Sequence, residues 1–216
     1  MTTPDPPRIV AATAHEDQRA AMAAAAEMLS RYVGFALGAE WPVFLRLIAP
    51  DDAEIPPGIV LVASLLEDGA LHDPIASTRA RWVERIGRYR SAGHDRILLC
   101  NLFRRVEGPA GEGPGIEQIR RLNRMAIGLS RELGVEIVDI DRLFALCGGR
   151  AIGADYRGGG EMAPRLAGHA IANAILQGEM GGCLDPGVPA RANAAHGGER
   201  QILRLVERQV SPGDRP

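Results

Sequence analysis

Apolar residues fall along this chain in short unbroken runs, and between the runs they recur every three or four positions. The runs are RIVAATA (8–14), VFLRLIA (43–49), IVLVASLL (59–66), RILLCNLF (96–103) and VEIVDID (135–141). Their length and their content of Val, Ile and Leu predict strands. The third is apolar at nearly every position, as a strand covered on both faces in a parallel sheet would be. Between the runs the period changes. EDQRAAMAAAAEMLSRYVG (16–34) sets Met22, Leu29 and Val33 near helical spacing and closes at Gly34. Thr78 to Ala92 repeats Trp82, Ile86 and Tyr89 on one face before Gly93. IEQIRRLNRMAIGLSRELG places Ile119, Leu122, Ala126, Leu129 and Leu133 three and four apart, with Gly134 as the stop, and PRLAGHAIANAILQ predicts a last helix. Glycine just past a periodic stretch ends a helix because it takes the left-handed conformation without a steric cost. Five strands separated by helices predict a three-layer α/β/α sandwich with a parallel sheet over residues 1–180. In such a sheet a ligand sits beyond the carboxyl ends of the strands.

Residues 181–216 change character. GGCLDPGVPARANAAHGG (181–198) is rich in glycine, proline and alanine and reads as a flexible linker. ERQILRLVERQV (199–210) then puts Ile202, Leu205, Val206 and Val210 on one face of a short amphipathic helix. A single short helix is marginal in water. It is expected to dock on its own domain, on a second copy of the chain or on a protein partner.

Composition narrows the chemistry. With 216 residues and 46% hydrophobic content, the chain can bury one sizeable core. The formal charge is −2, aromatics are 4%, and no basic run exceeds two arginines, which argues against a nucleic-acid partner. All 25 basic residues are arginine. The absence of lysine excludes a Schiff-base lysine, a pyridoxal-phosphate linkage and a phosphate-loop lysine. Cys100, Cys147 and Cys183 are odd in number and far apart, which fits neither a disulfide framework nor a metal site. No charged and apolar leader opens the sequence, and no stretch is apolar enough to span a bilayer. A cytoplasmic protein without cofactor, metal or membrane contact is expected.

The order of elements over roughly residues 8 to 178 resembles the SGNH (GDSL) hydrolases. IRRLNRMAIGLSRELGVEIVDIDRLF, including Asn123, is similar to that family's penultimate helix and final strand, and APRLAGHAIANAIL to its closing segment. The resemblance implies a flavodoxin-like sandwich and an ester hydrolase. Its reaction uses a serine after the first strand, an Asp-x-x-His pair before the last helix, and a glycine and an asparagine that stabilise the oxyanion. The reasons are physical: an alkoxide nucleophile needs a base within hydrogen-bond reach, and the tetrahedral intermediate needs preorganised donors. This chain departs from the pattern at each point. The register puts Thr13, Ala14 and His15 where the family has Gly-Asp-Ser. In LLED, Leu65 replaces the glycine and Glu67 the asparagine, while Asp68 matches. Pro164 and Gly168 hold the last motif in register and so assign Gly160 and Ala163 to the aspartate and histidine positions.

No catalytic residue is therefore assigned. The residues expected around a ligand cleft are Thr13, His15, Glu67, Asp68, Asn101, Arg104 and Glu161. His15 with Glu67 and Asp68 would form a polar cluster at the strand tips, and Arg104 with Arg105 could grip a carboxylate or phosphate through a guanidinium fork. His169, just inside the last helix, is either a displaced base or a packing residue. Two function classes stay open: a non-catalytic binding or accessory protein, taking a small molecule or a protein partner in a pathway or assembly, and an esterase or acyl/glycosyl-group transferase rebuilt around Thr13, His15, Glu67 and Asp68.

Overall fold

The computed structural model describes residues 7–66, 71–105, 114–149, 152–178, 184–185 and 187–196. All five apolar runs become strands: β1 (Arg8–Ala12), β2 (Phe44–Ile48), β3 (Val60–Ser64), β4 (Ile97–Cys100) and β5 (Glu136–Val138). They pair in parallel in the order β2-β1-β3-β4-β5. The chain moves outward from β1 to β2 and then returns past β1 to β3. The direction of winding thus reverses between β1 and β3, where an open parallel sheet leaves a crevice at its carboxyl edge.

The helices are α1 (Glu16–Leu37), α2 (Ile75–Ser91), α3 (Ile116–Leu133), α4 (Ile140–Leu146), α5 (Ala163–Gln177) and α6 (Gly187–His196). Alternate residues of one strand enter opposite cores, as the two-residue period of a pleated strand requires. Ile9, Ala11, Val62 and Leu98 pack toward α1, α4, α5 and α6, whereas Val10, Leu61, Ala63 and Leu99 pack toward α2 and α3. The expected three-layer α/β/α sandwich is the observed fold. Among the described residues, no helix is long and apolar enough to cross a membrane.

Three of the differences from the expected boundaries have a local cause. Gly34 lies inside α1, which runs on to Leu37 and ends at Gly38 with φ 68°; the Gly38 N–H reaches the Phe35 carbonyl. The run 135–141 is divided, because the Asp139 carboxylate accepts the Arg142 N–H at 3.1 Å and starts α4 at Ile140. An aspartate at that position satisfies a helix-end donor that a strand does not expose. The stretch 181–198, read as a linker, holds α6, which packs on α1 and α5 with Val188 and Ala192 buried. These two residues are four apart, on one helical face, in an alanine-rich segment whose helix propensity outweighs its glycine and proline. The amphipathic stretch 199–210 lies outside the described residues.

Candidate functional site

The site is built on the first turn of α1 and the last residue of β3. Thr13 follows β1 and is buried, with its N–H bonded to the Ile48 carbonyl at 3.0 Å. Its hydroxyl donates to Gln18 Oε1 at 2.8 Å and accepts the His15 N–H at 3.3 Å. Gln18 reaches from α1 across the crevice, where its Nε2 donates to Ser64 Oγ at 2.5 Å. Ser64 also accepts the Leu66 N–H at 3.2 Å. Ser64 ends β3 on the face shared with Val62, so the alternation of the strand turns its hydroxyl toward α1 and α5.

Beside this network is a cavity of about 40 Å³. Gln18 and Ser64 are among its polar lining residues, and Met22, Phe144 and Ile171 among its apolar ones. The Cys100 thiol also faces it, and burial pushes that thiol up to about 12, so it lines the cavity as a neutral group. Asp17, Asn101, Arg157 and Gly158 also line it. Arg157 is held by Asp155 through its own N–H and its Nε, both at 2.9 Å. Gly159 approaches Asp17 so closely that a Cβ there would stand 3.0 Å from a carboxylate oxygen.

The structure gives the expected cleft residues different fates. Thr13 belongs to the network, and His15 is half-buried immediately before α1. Asn101 lines the cavity while its side chain bonds Asp139 Oδ1 at 2.8 Å and accepts the Asp141 N–H at 3.0 Å. Arg104 turns to Asp141, with Nε 2.6 Å from Oδ2. Its guanidinium is engaged by a carboxylate of its own fold, and Arg105 donates to the Ala154 carbonyl at 3.4 Å. Glu161 is exposed two residues before α5. Glu67 and Asp68 lie outside the described residues. Gly160 is exposed with φ 92°, Ala163 is fully buried, and neither lines the cavity. His169 is buried in the α1–α5 contact, 5.6 Å from the Tyr32 ring and 3.2 Å from the Asn173 amide nitrogen. Asn123 pairs with both the N–H and the carbonyl of Leu102, which fixes the loop leaving β4.

Gln18 and Ser64 were not among the residues expected at a site. Their signal was a polar residue at a core position: Gln18 precedes the buried Ala21, Met22 and Ala25 on α1, and Ser64 interrupts IVLVASLL. A buried polar side chain needs a partner. Here the two partner each other across 46 positions of sequence. The Thr13 and Ser64 hydroxyls bond to Gln18 and to backbone N–H groups, and among the described residues no cluster of three His, Cys, Asp or Glu side chains is placed to hold a metal ion.

Neither a protein-family model nor a curated protein matches the sequence. Among solved structures, the crystal structure of an acetyl xylan esterase, AlAXEase, is similar to this chain with a TM-score of 0.57 at 10% identity. The match covers 78% of this chain and 99% of that one. The likeness is one of fold.

Proposed function

We propose that this protein is a non-catalytic binding or accessory protein that keeps a hydrolase-like fold and uses its carboxyl-edge crevice to hold a small molecule. The observation that carries this reading is the Thr13–Gln18–Ser64 network. Thr13, in the segment aligned with the family's nucleophile, gives its proton to an amide oxygen instead of an imidazole nitrogen. An amide does not act as a base near neutral pH, so this contact fixes the hydroxyl without activating it. Ser64 likewise accepts from Gln18 and from a backbone N–H, which draws electron density from its oxygen. The replacement of the oxyanion asparagine by Glu67 supports the same reading, because a carboxylate opposes the charge of a tetrahedral intermediate.

The test is incubation of the full chain with activated acetyl and longer acyl esters and with a fluorophosphonate probe. The expected result is no turnover above the uncatalysed rate and no covalent labelling. Stoichiometric labelling of Thr13 or Ser64, or saturable ester turnover, would overturn the proposal in favour of an esterase or acyltransferase with a rebuilt site. The double variant Gly160→Asp, Ala163→His is expected to remain inactive. Residue 163 is fully buried, so an imidazole there faces packed side chains.

A further inference from the structure

The hydrogen bonds around the cavity are unequally matched, and the mismatch specifies a ligand. Thr13, Gln18 and Ser64 offer two hydroxyl protons and two amide hydrogens, and the His15 and Leu66 N–H groups add two more donors. Four bonds are made, which spend one hydroxyl proton, one amide hydrogen and both backbone N–H groups. One hydroxyl proton and one amide hydrogen have no acceptor among the described residues. Turning the Gln18 amide over exchanges which hydroxyl is left, but the count is unchanged. As oriented, the two unspent donors belong to Ser64 and Gln18, and both residues line the cavity. Both side chains are at least nine-tenths buried: Ser64 is 2% exposed and Gln18 9%. Buried donors without acceptors are costly, so a group that accepts two hydrogen bonds is favoured there.

We propose that the cavity binds the carbonyl end of a small uncharged acyl or amide group, whose oxygen accepts from Ser64 Oγ and Gln18 Nε2 and whose carbon body lies against Met22, Phe144 and Ile171. This inference rests on the binding-protein reading above and names the ligand class. Size follows from volume: about 40 Å³ of space admits a ligand of a few heavy atoms, the scale of acetamide. Neutrality follows from the surroundings. The walls are mostly apolar, the Cys100 thiol is uncharged, the Asp17 carboxylate lines the same cavity, and Arg157 is engaged by Asp155. Among the described lining residues the charge of Arg157 is already matched by Asp155, so a carboxylate would enter with no unmatched cation to compensate its desolvation. The residues that hold the carbonyl are side chains of α1 and β3, at positions distinct from those the hydrolase resemblance assigns to catalysis.

The experiment is a titration of the full chain with acetamide, N-propylacetamide, acetate and xenon, read by the methyl resonance of Met22, assigned with Met22→Leu. Acetamide is expected to shift that resonance saturably, and acetate at least ten-fold more weakly. Binding of N-propylacetamide as well as acetamide assigns the pocket to the tip of a larger molecule, whereas its exclusion assigns it to a free small amide. Ser64→Ala is expected to weaken acetamide about five-fold, the effect of one neutral hydrogen bond, and to leave xenon unchanged. Gln18→Met, similar in volume, is expected to do the same, and the Ser64 variant decides the matter if Gln18→Met fails to fold. No saturable shift with acetamide would mean that the cavity holds water only and would overturn the inference. So would acetate binding as tightly, or acetamide binding that Ser64→Ala does not weaken. Ester turnover by the wild-type chain would instead defeat the non-catalytic reading, whatever acetamide does.

Discussion

Gly168 on α5 lies against Ala24 on α1 with no space for a methyl group: a Cβ on Gly168 would stand 2.7 Å from the Ala24 Cβ, 2.8 Å from the Ala21 carbonyl oxygen and 2.9 Å from the Ala25 nitrogen. Two of these three neighbours are backbone atoms, so the contact can be relieved only by moving one helix away from the other. The alanines of α1 and the glycine of α5 let the helices approach closely, and that approach holds the first turn of α1, with Gln18, over the end of β3. Gly168→Ala has an intrinsic helix gain of about 1 kcal/mol, but overpacking costs about 1–3 kcal/mol. Net destabilisation is expected, seen as a lower urea midpoint. A higher midpoint would show that α1 and α5 separate freely.

The pairing of Asp51 with Arg85 predicts a pH dependence. Arg85 is buried and grips the Asp51 carboxylate with Nε at 3.0 Å and Nη2 at 2.9 Å, while its guanidinium lies 5.5 Å from the Trp82 ring. The Arg85 hydrogen bond holds the Asp51 pKa below its ordinary 3.8. A depressed folded pKa gives a stabilisation that is fully present above the unfolded value and lost as pH falls through the folded one. Because the carboxylate is 73% exposed, solvent screening limits the contribution to about 1 kcal/mol. Asp51→Asn is expected to lower stability at pH 6 by about that amount, with the gap from wild type narrowing below pH 3.8. Denaturant melts across that range check this. A gap constant down to the acid limit would assign the loss to packing.

The buried cysteines are expected to be inert. Burial pushes Cys100 up to about 12 and Cys147 up to about 11, so the thiolate that reacts is scarce near neutral pH. In a Cys183→Ser background, an aromatic disulfide reagent at pH 8 should label neither thiol quickly in the native protein, and both in denaturant. Rapid native labelling of Cys100 would show a thiolate-stabilising charge beside the cavity.

Truncation after Gly182 removes α6, and with it the buried Val188 and Ala192 that cover α1 and α5. The remaining domain keeps the five described strands and is expected to fold with a lower melting temperature. Full burial of a valine accounts for about 1.5–3 kcal/mol of the loss. Equal melting temperatures for the two forms would show that α6 adds no stability.

Local pattern by itself determined the layers of this protein. Five apolar runs read as strands because they are short and rich in Val, Ile and Leu, and the three- and four-residue periods of the long helices fixed which side faces the sheet. The same patterns placed Gly134 as a helix stop, where the structure gives φ 63°. Tertiary structure decided whatever depends on partners distant in sequence. Arg104, legible as a fork for an anion, meets Asp141 instead. Asn101, expected at a cleft, also organises the start of α4. Gln18 and Ser64 look like isolated polar residues in apolar stretches until α1 folds over β3. Only there, in a buried crevice where each hydrogen bond must find a counterpart, do the unspent donors and the cavity beside them come into being, because such satisfaction is a property of assembled neighbours and not of any single segment.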